Sequence, residues 1–387
     1  MVRWHLGPLP TTLLEALIGV TVLAYLSTLW SEKRLPRART PYDIPIAFLL
    51  LAGIIGIAVA PDHVKALGTY RAYFVEAIVC FYIAVDLLRS REDVTTFLVI
   101  TGVGACLMSI GQLVLFAVTF VHHKLDLSAA PSFLNTSANA DAMYLEPPLA
   151  FALAFTLFAS RPKERWLAAA AFTVILAAMV SALSRASFVA MAVLAAVLIL
   201  SARSHRWRLR ALAAAAVIGL GIIEIPFVNR RFQTFADSVT NRESIYHQTL
   251  QMLSHMPLFG AGIDGFATRV APYRPVGDII HIYPHDIWLT TWSELGLLGL
   301  FAFAVIFFGL LWRGARALPA ATDVYRPLLW GAVGALILYT VHGLFDSPYW
   351  KNDLSVEFWL LAALNVVAIR ALRGALAGSP RGARAAP

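Results

Sequence analysis

The chain has 387 residues, of which 59% are hydrophobic and only 14% charged, with a formal net charge of +8 and a mean hydropathy of +0.70. So little polar surface cannot coat a soluble globule of this size, and the composition is that of a polytopic inner-membrane-type protein. The alternating segments of roughly ten residues that mark a membrane β-barrel are absent, so the fold class is all-α.

The amino terminus lacks a basic cluster ahead of a short apolar core and a small-residue cleavage site, so no removable signal peptide is read there. Apolar runs follow at 11–30, 43–60, 72–88, 95–120, 143–160, 166–183, 186–202, 211–228, 287–312, 327–345 and 355–370. This predicts about eleven transmembrane helices, with one large loop, 229–286, between spans eight and nine. Every second connection is the basic one. Segments 31–42, 89–94, 161–165, 203–210, 313–326 and the tail from Arg370 hold twenty of the 31 basic residues. The positive-inside rule places these in the cytoplasm and puts the amino terminus and the 229–286 loop outside.

Residues 1–372 read as a single transmembrane domain that includes the loop, and 373–387, rich in Gly, Ala, Pro and Arg, as a disordered cytoplasmic tail. The basic residues punctuate helices rather than clustering in a soluble module, so the net charge implies no nucleic-acid partner. Cys80 and Cys106 fall inside apolar runs and act as small hydrophobes. No internal repeat and no inverted pair of broken helices marks a secondary transporter.

The 229–286 loop is the one long polar stretch. Thr240 and Glu243 form a capping-box pattern, which predicts a helix from Asn241 to about His255 before Pro257. Arg242 and Tyr246 then share a face. An Arg in a first helical turn is either an exposed surface residue or, with the free amides beside it, an anion ligand. Gly260, Gly262 and Gly265 match G-x-G-x-x-G, yet follow a helix rather than a strand, so a flexible turn is expected and no dinucleotide site. Pro284 between His281 and His285 argues against a helical metal pair, even with Asp278 and Asp286 nearby. His285 is either a structural hydrogen bonder or a general base.

Arg185 stands with Ser184 in a connection so short that spans six and seven form a tight hairpin. It either snorkels or meets an anionic partner. Two further outward connections, 122–142 with His122, Asn135, Asn139 and Asp141, and 346–354 with Asp346, Trp350, Lys351 and Asp353, face the same side as the loop. Glu15, Glu76, Asp86, Glu146 and Glu224 lie in or near apolar runs, but their spacing makes no proton relay.

These residues carry a resemblance. The Ser184–Arg185 turn, Arg242 with an aromatic four residues on, Pro257 before Gly260 and Gly262, Phe266, and His285 followed by Leu289, Glu294, Gly296 and Gly299 resemble the bacterial O-antigen ligase and Wzy-type polymerase superfamily. Asn139, His342 and Asp346 add to it, and the match is concentrated between residues 184 and 300.

The resemblance implies an inverting membrane glycosyltransferase in the bacterial inner membrane, working on the periplasmic side without metal or other cofactor. It would move a glycan from undecaprenyl diphosphate to an acceptor hydroxyl, that of lipid A-core in a ligase. Arg185 and Arg242 would hold the diphosphate and His285 would deprotonate the acceptor, with Tyr246, Asp286, Glu294, Asn139 and His342 in support. A Wzy-type O-antigen or exopolysaccharide polymerase, a protein O-oligosaccharyltransferase and a lipid-linked glycan transporter are the other readings. The chain departs from the family pattern in having eleven runs where members commonly have twelve spans, and Asp286 where an Asn commonly follows the His.

Overall fold

A backbone with no water around it satisfies its own N–H and C=O groups, and all eleven apolar runs are helical. The computed structural model describes residues 3–6, 9–36, 39–122, 130–134, 137–202, 204–233, 235–322 and 325–378. The chain opens on a short antiparallel hairpin, β1 (Arg3–Leu6) and β2 (Leu9–Thr12). It is the only departure from the all-α expectation among the described residues. Helix α1 (Leu13–Ser31) follows, with Thr12 and Glu15 closing a capping box.

Next come α2 (Asp43–Val59), α3 (His63–Tyr70), a π turn (Arg71–Val75), α4 (Glu76–Leu87) and α5 (Arg91–Val121). The middle of the chain forms α6 (Ala138–Phe158), α7 (Pro162–Ser181), α8 (Arg185–Leu200) and α9 (His205–Ile223). The loop contains α10 (Pro226–Gln233), α11 (Phe235–His255) and the short α12 (Phe266–Val270). Helices α13 (Ile287–Ala317), α14 (Arg326–His342) and α15 (Asn352–Gly378) complete the chain. Helix α15 extends into the segment read as a tail; residues 379–387 lie outside the described residues, as does Asn135.

Helices α1, α5, α7, α13 and α15 are each long and apolar enough to cross a membrane, while α2 and α8 are apolar but shorter. The chain is a multi-pass membrane protein. On α13 the division of faces is plain: Phe301, Val305, Phe308 and Trp312 are exposed at spacings of three and four. Phe303, Ile306, Phe307 and Leu310 are buried. The exposed stripe is the one that lipid would cover, and the buried one packs on α2, α14 and α15. At the centre, Phe303, Phe307, Tyr349, Phe358 and Trp359 interlock, with Phe303 and Tyr349 meeting edge to face at 5.2 Å. Helix α14 lies against α6 and α8, which brings its carboxy-terminal end together with the amino-terminal ends of those two helices.

The acids in apolar runs are mostly accounted for by packing. Asp86 takes Tyr25 at 2.8 Å, Arg34 at 2.6 Å and Arg89 at 2.8 Å. Glu15 pairs with Arg71 at 2.6 Å and accepts from Asn352 at 2.9 Å, and Glu76 faces Arg71 at 3.2 Å. Asp86 and Glu15 each tie together segments far apart in sequence, while Glu76 pairs only with its near neighbour, and Glu224 is exposed at the end of α9.

Helix α13 is broken at Gly296, whose φ of 66° and ψ of −172° are not helical. The freed groups are taken by the glycine turn. Leu297 N–H donates to the Leu258 carbonyl at 3.0 Å, and Ala261 N–H donates to the Ser293 carbonyl at 2.6 Å. The same turn enters the end of α2, where Ile263 N–H donates to the Gly56 carbonyl at 3.2 Å. Gly262, at φ 79°, lies so close that a Cβ there would sit 2.6 Å from the Ala60 nitrogen. The turn expected to be flexible is therefore a buried plug, with Ala261 and Ile263 fully enclosed.

Candidate active site

A cavity of about 770 Å³ opens where the amino-terminal ends of α6 and α8 and the carboxy-terminal end of α14 meet the loop. Two helix amino termini line it. Ser137 caps α6, accepting from Ala140 N–H at 3.2 Å, and Ser184 caps α8, accepting from Ser187 N–H at 3.3 Å. The α7–α8 connection is the tight hairpin that the sequence predicts. Leu183 turns it with φ 54°, which sets Arg185 in the first turn of α8 and on the cavity wall. The positive ends of two helix dipoles and the Arg185 guanidinium thus favour negative charge in the same space.

Arg242 and His285 line this cavity as well, although they come from opposite ends of the loop. Helix α11 begins at Phe235, so Thr240 lies inside it and Arg242 stands beyond its first turn. The expected start at Asn241 and the free amides beside Arg242 are corrected: the helix amides that face the cavity belong to α6 and α8. Arg242 and Tyr246 do share a face, and together they grip the turn after α14. Arg242 Nε donates to the Phe345 carbonyl at 3.0 Å, and the Tyr246 hydroxyl lies 2.8 Å from the Leu344 carbonyl and 3.1 Å from the His285 carbonyl.

His285 has left-handed backbone, φ 59°, a conformation that costs a non-glycine residue about 1–3 kcal/mol. The turn swings its ring away from α13 and toward Asp346. Nδ1 lies 3.4 Å from Asp346 Oδ1. A carboxylate only accepts, so the proton of a neutral ring sits on Nδ1 and leaves Nε2 with a free lone pair. Asp346 is fixed in turn: Ser347 N–H donates to Oδ1 at 2.8 Å, and Asn139 Nδ2 donates to Oδ2. Ser184 Oγ donates to Asn139 Oδ1 at 2.5 Å. One chain of contacts therefore runs from the cap of α8 through Asn139 and Asp346 to His285. Burial would raise the Asp346 carboxyl, but the hydrogen bond and charge of His285, the charge of His342 and Ser347 N–H hold it down at about 2.

Besides Tyr246, which reaches the site only through the carbonyls it holds, three residues expected in support lie off the cavity. Asp286 is the amino-terminal cap of α13, its Oδ1 accepting from Leu289 N–H at 2.7 Å, and so it is turned away from the His285 ring. Burial raises its carboxyl above the usual range. Glu294 is buried beneath the glycine plug, where it accepts from Asp264 N–H and braces the break in α13. His342, fully buried, pairs through Nδ1 with Glu146 Oε1 at 2.6 Å, and Ser187 Oγ donates to the same oxygen at 2.9 Å. Pro147 and Pro148 interrupt the ladder of α6 directly after Glu146.

Asp346 and Lys351 are the cavity residues whose place beside His285 and Arg185 the sequence did not reveal. Their place in a short polar connection was legible, but Asp346 is 61 residues from His285, and only the packing of α14 brings them together. Burial lowers the Lys351 ammonium, against the carboxylates of Asp353, Asp346 and Asp141. His281 and Tyr283 pack around His285, with ring centres 5.3 and 4.4 Å away. Burial, and then the neighbouring His285, lower the His281 imidazole. Asp278 turns to Ser244 and Gln248 at 3.1 and 2.7 Å.

No curated protein compared with the chain matches it significantly. Residues 169–304 match the family model described as O-Antigen ligase. That stretch runs from within α7 to the middle of α13 and contains Arg185, Arg242 and His285; Asn139, Asp346 and Lys351 lie outside it. Over residues 169–304 the chain is thus similar to the O-antigen ligase family, and its resemblance to the O-antigen ligase and Wzy-type polymerase superfamily is supported over that stretch.

Proposed function

We propose that the protein is a membrane glycosyltransferase that moves a glycan from undecaprenyl diphosphate to the hydroxyl of an acceptor, lipid A-core in a ligase. The observation that carries this reading is the convergence, on one cavity, of Arg185, Arg242, Lys351 and two helix amino termini with a histidine held by a buried carboxylate. The cations and amides suit a diphosphate, and the imidazole suits a hydroxyl.

In the reaction, His285 Nε2 takes the proton of the acceptor hydroxyl as its oxygen attacks the anomeric carbon. The bond from that carbon to the phosphate oxygen breaks on the opposite face, so the configuration inverts, and the electron pair leaves with the lipid diphosphate. Arg185 and Arg242 stabilise the charge that develops there. Asp346 holds the ring in the Nδ1–H tautomer and offsets the imidazolium that forms, as a buried aspartate does beside a catalytic histidine. The loop roofs the cavity and reduces its access to water.

The test uses purified protein, a carrier-linked oligosaccharide and lipid A-core, with release of free undecaprenyl diphosphate as the readout. His285→Ala is expected to abolish release while the donor still binds; unchanged turnover would refute the reading. Lengthening of the glycan without lipid A-core would identify a polymerase.

A further inference from the structure

A second cavity, of about 240 Å³, lies at the other end of α13 and α15, formed by Arg39, Tyr42, Arg313, Arg370 and Arg373 among its walls. Arg313 lies at the far end of α13 from the first cavity, and the unbroken part of the helix beyond Gly296 alone, at 1.5 Å per residue, sets it about 25 Å past the break. The three segments that meet here, after α1, at the end of α13 and at the end of α15, are all basic connections that the sequence assigns to the cytoplasmic face.

Four arginines, each partly open to the surface, contribute to the wall of this small space, and no carboxylate lines it. Among the described residues none of the four makes a salt bridge. One acid lies near, Asp43, which accepts from the Thr40 hydroxyl at 2.6 Å and the Tyr82 hydroxyl at 2.9 Å and whose charge reaches Arg370. Arg370 donates to the Arg39 carbonyl and so ties the segment after α1 to the end of α15, while the Arg313 guanidinium sits 5.9 Å from the centre of the Tyr42 ring. Like charges gathered this way repel unless an anion lies between them. A second observation points to the same occupant. Tyr42 is only 3% exposed, and its hydroxyl has no hydrogen-bond partner among the described residues, a state that buried polar groups avoid.

We propose that this pocket binds a phosphate-bearing anion, either the headgroup of an anionic phospholipid or free phosphate. A basic pocket between membrane helices at the cytoplasmic face suits a lipid phosphate, whose diester the forked guanidinium donors match. The site is distinct from the outward cavity and does not depend on the function proposed for it. Its occupant would pin the end of α15 to α13 and to the segment after α1.

The full-length protein, purified in detergent and stripped of lipid, would be titrated with phosphatidylglycerol, with phosphatidylcholine and with inorganic phosphate. Bound lipid would be read by native mass spectrometry and the melting temperature followed alongside. Phosphatidylglycerol is expected to bind and raise the melting temperature, and phosphatidylcholine to do neither. Arg313→Gln with Arg373→Gln should weaken binding about thirtyfold. Tyr42→Phe, which keeps the ring, should weaken it severalfold. Arg316→Gln, which removes an exposed charge one turn from the wall residues and stacked on Trp312, serves as the control and should leave it unchanged. Saturation by inorganic phosphate alone, with the same dependence on these residues, would identify the free anion as the occupant. An equal loss in Arg316→Gln, an unchanged affinity in Tyr42→Phe, or no binding by phosphatidylglycerol or phosphate would overturn the proposal.

Discussion

Asp346, and not Asp286, is the carboxylate beside His285: its Oδ1 lies 3.4 Å from Nδ1, while Asp286 caps the helix that His285 precedes. If Asp346 sets the tautomer, Asp346→Asn should lower turnover by about 100-fold with little change in donor affinity. Asp286→Ala should leave turnover nearly intact and lower stability by about 1 kcal/mol, and Asp286→Asn, an equally good cap, should be neutral. Kinetics and thermal melts of the three variants check this; equal activity losses at both positions would remove the distinction.

Arg185 and Arg242 are expected to act on the diphosphate. Replacing either with Gln should weaken inhibition by free undecaprenyl diphosphate by about 10- to 100-fold, the range for one charge-assisted hydrogen bond. Tyr246→Phe removes only the hydroxyl that holds the His285 and Leu344 carbonyls. It should slow turnover without changing that inhibition, and a parallel loss of both would place Tyr246 at the diphosphate instead.

Two of the glycines with positive φ, Gly262 and Gly277, separate conformation from contact. Gly277 has φ 89° with open space where a Cβ would go, so Gly277→Ala should cost about 1–2 kcal/mol. Gly262→Ala adds a Cβ 2.6 Å from the Ala60 backbone and should prevent the plug from seating between α2 and α13. Melting temperatures of the two proteins in detergent are the check, and similar values would show that the plug yields.

Glu146 and His342 are both fully buried. Glu146→Ala leaves His342 and Ser187 without their acceptor and should cost about 3–5 kcal/mol. Glu146→Gln keeps a side-chain oxygen at that point and should recover most of the loss. A melting temperature unchanged in the Ala variant would show that the pair contributes nothing to holding α6 against α14.

Stability should depend on pH through Asp346. Its carboxyl is held below its ordinary 3.8, at about 2, so the folded state favours the ionised form. The resulting stabilisation, about 2 kcal/mol, is complete above pH 3.8 and is lost as pH falls through about 2. The gap in stability between the wild type and Asp346→Asn should therefore be constant near neutrality and close in acid. A gap that widens toward low pH would have the wrong sign.

The sequence by itself determined the helices, because a run of apolar residues long enough to span a bilayer has few other ways to satisfy its backbone. The basic connections ordered those runs, and Arg185, Arg242 and His285 were legible as polar groups in a chain that has few. The start of α11 was not legible, since the Thr240 and Glu243 pattern, local as it is, lies within a helix that begins earlier. Which acid serves which partner was decided by the tertiary structure alone. Asp286 follows His285 directly yet turns to its own helix, whereas Asp346 and Asn139 reach His285 and Ser184 only because α14 packs against α6 and α8. The same holds for the arginines around Tyr42, which come from three connections and share a pocket because α13 and α15 end side by side. Periodicity and charge are properties of neighbours along the chain, while a site is made by neighbours in space, and packing sets those.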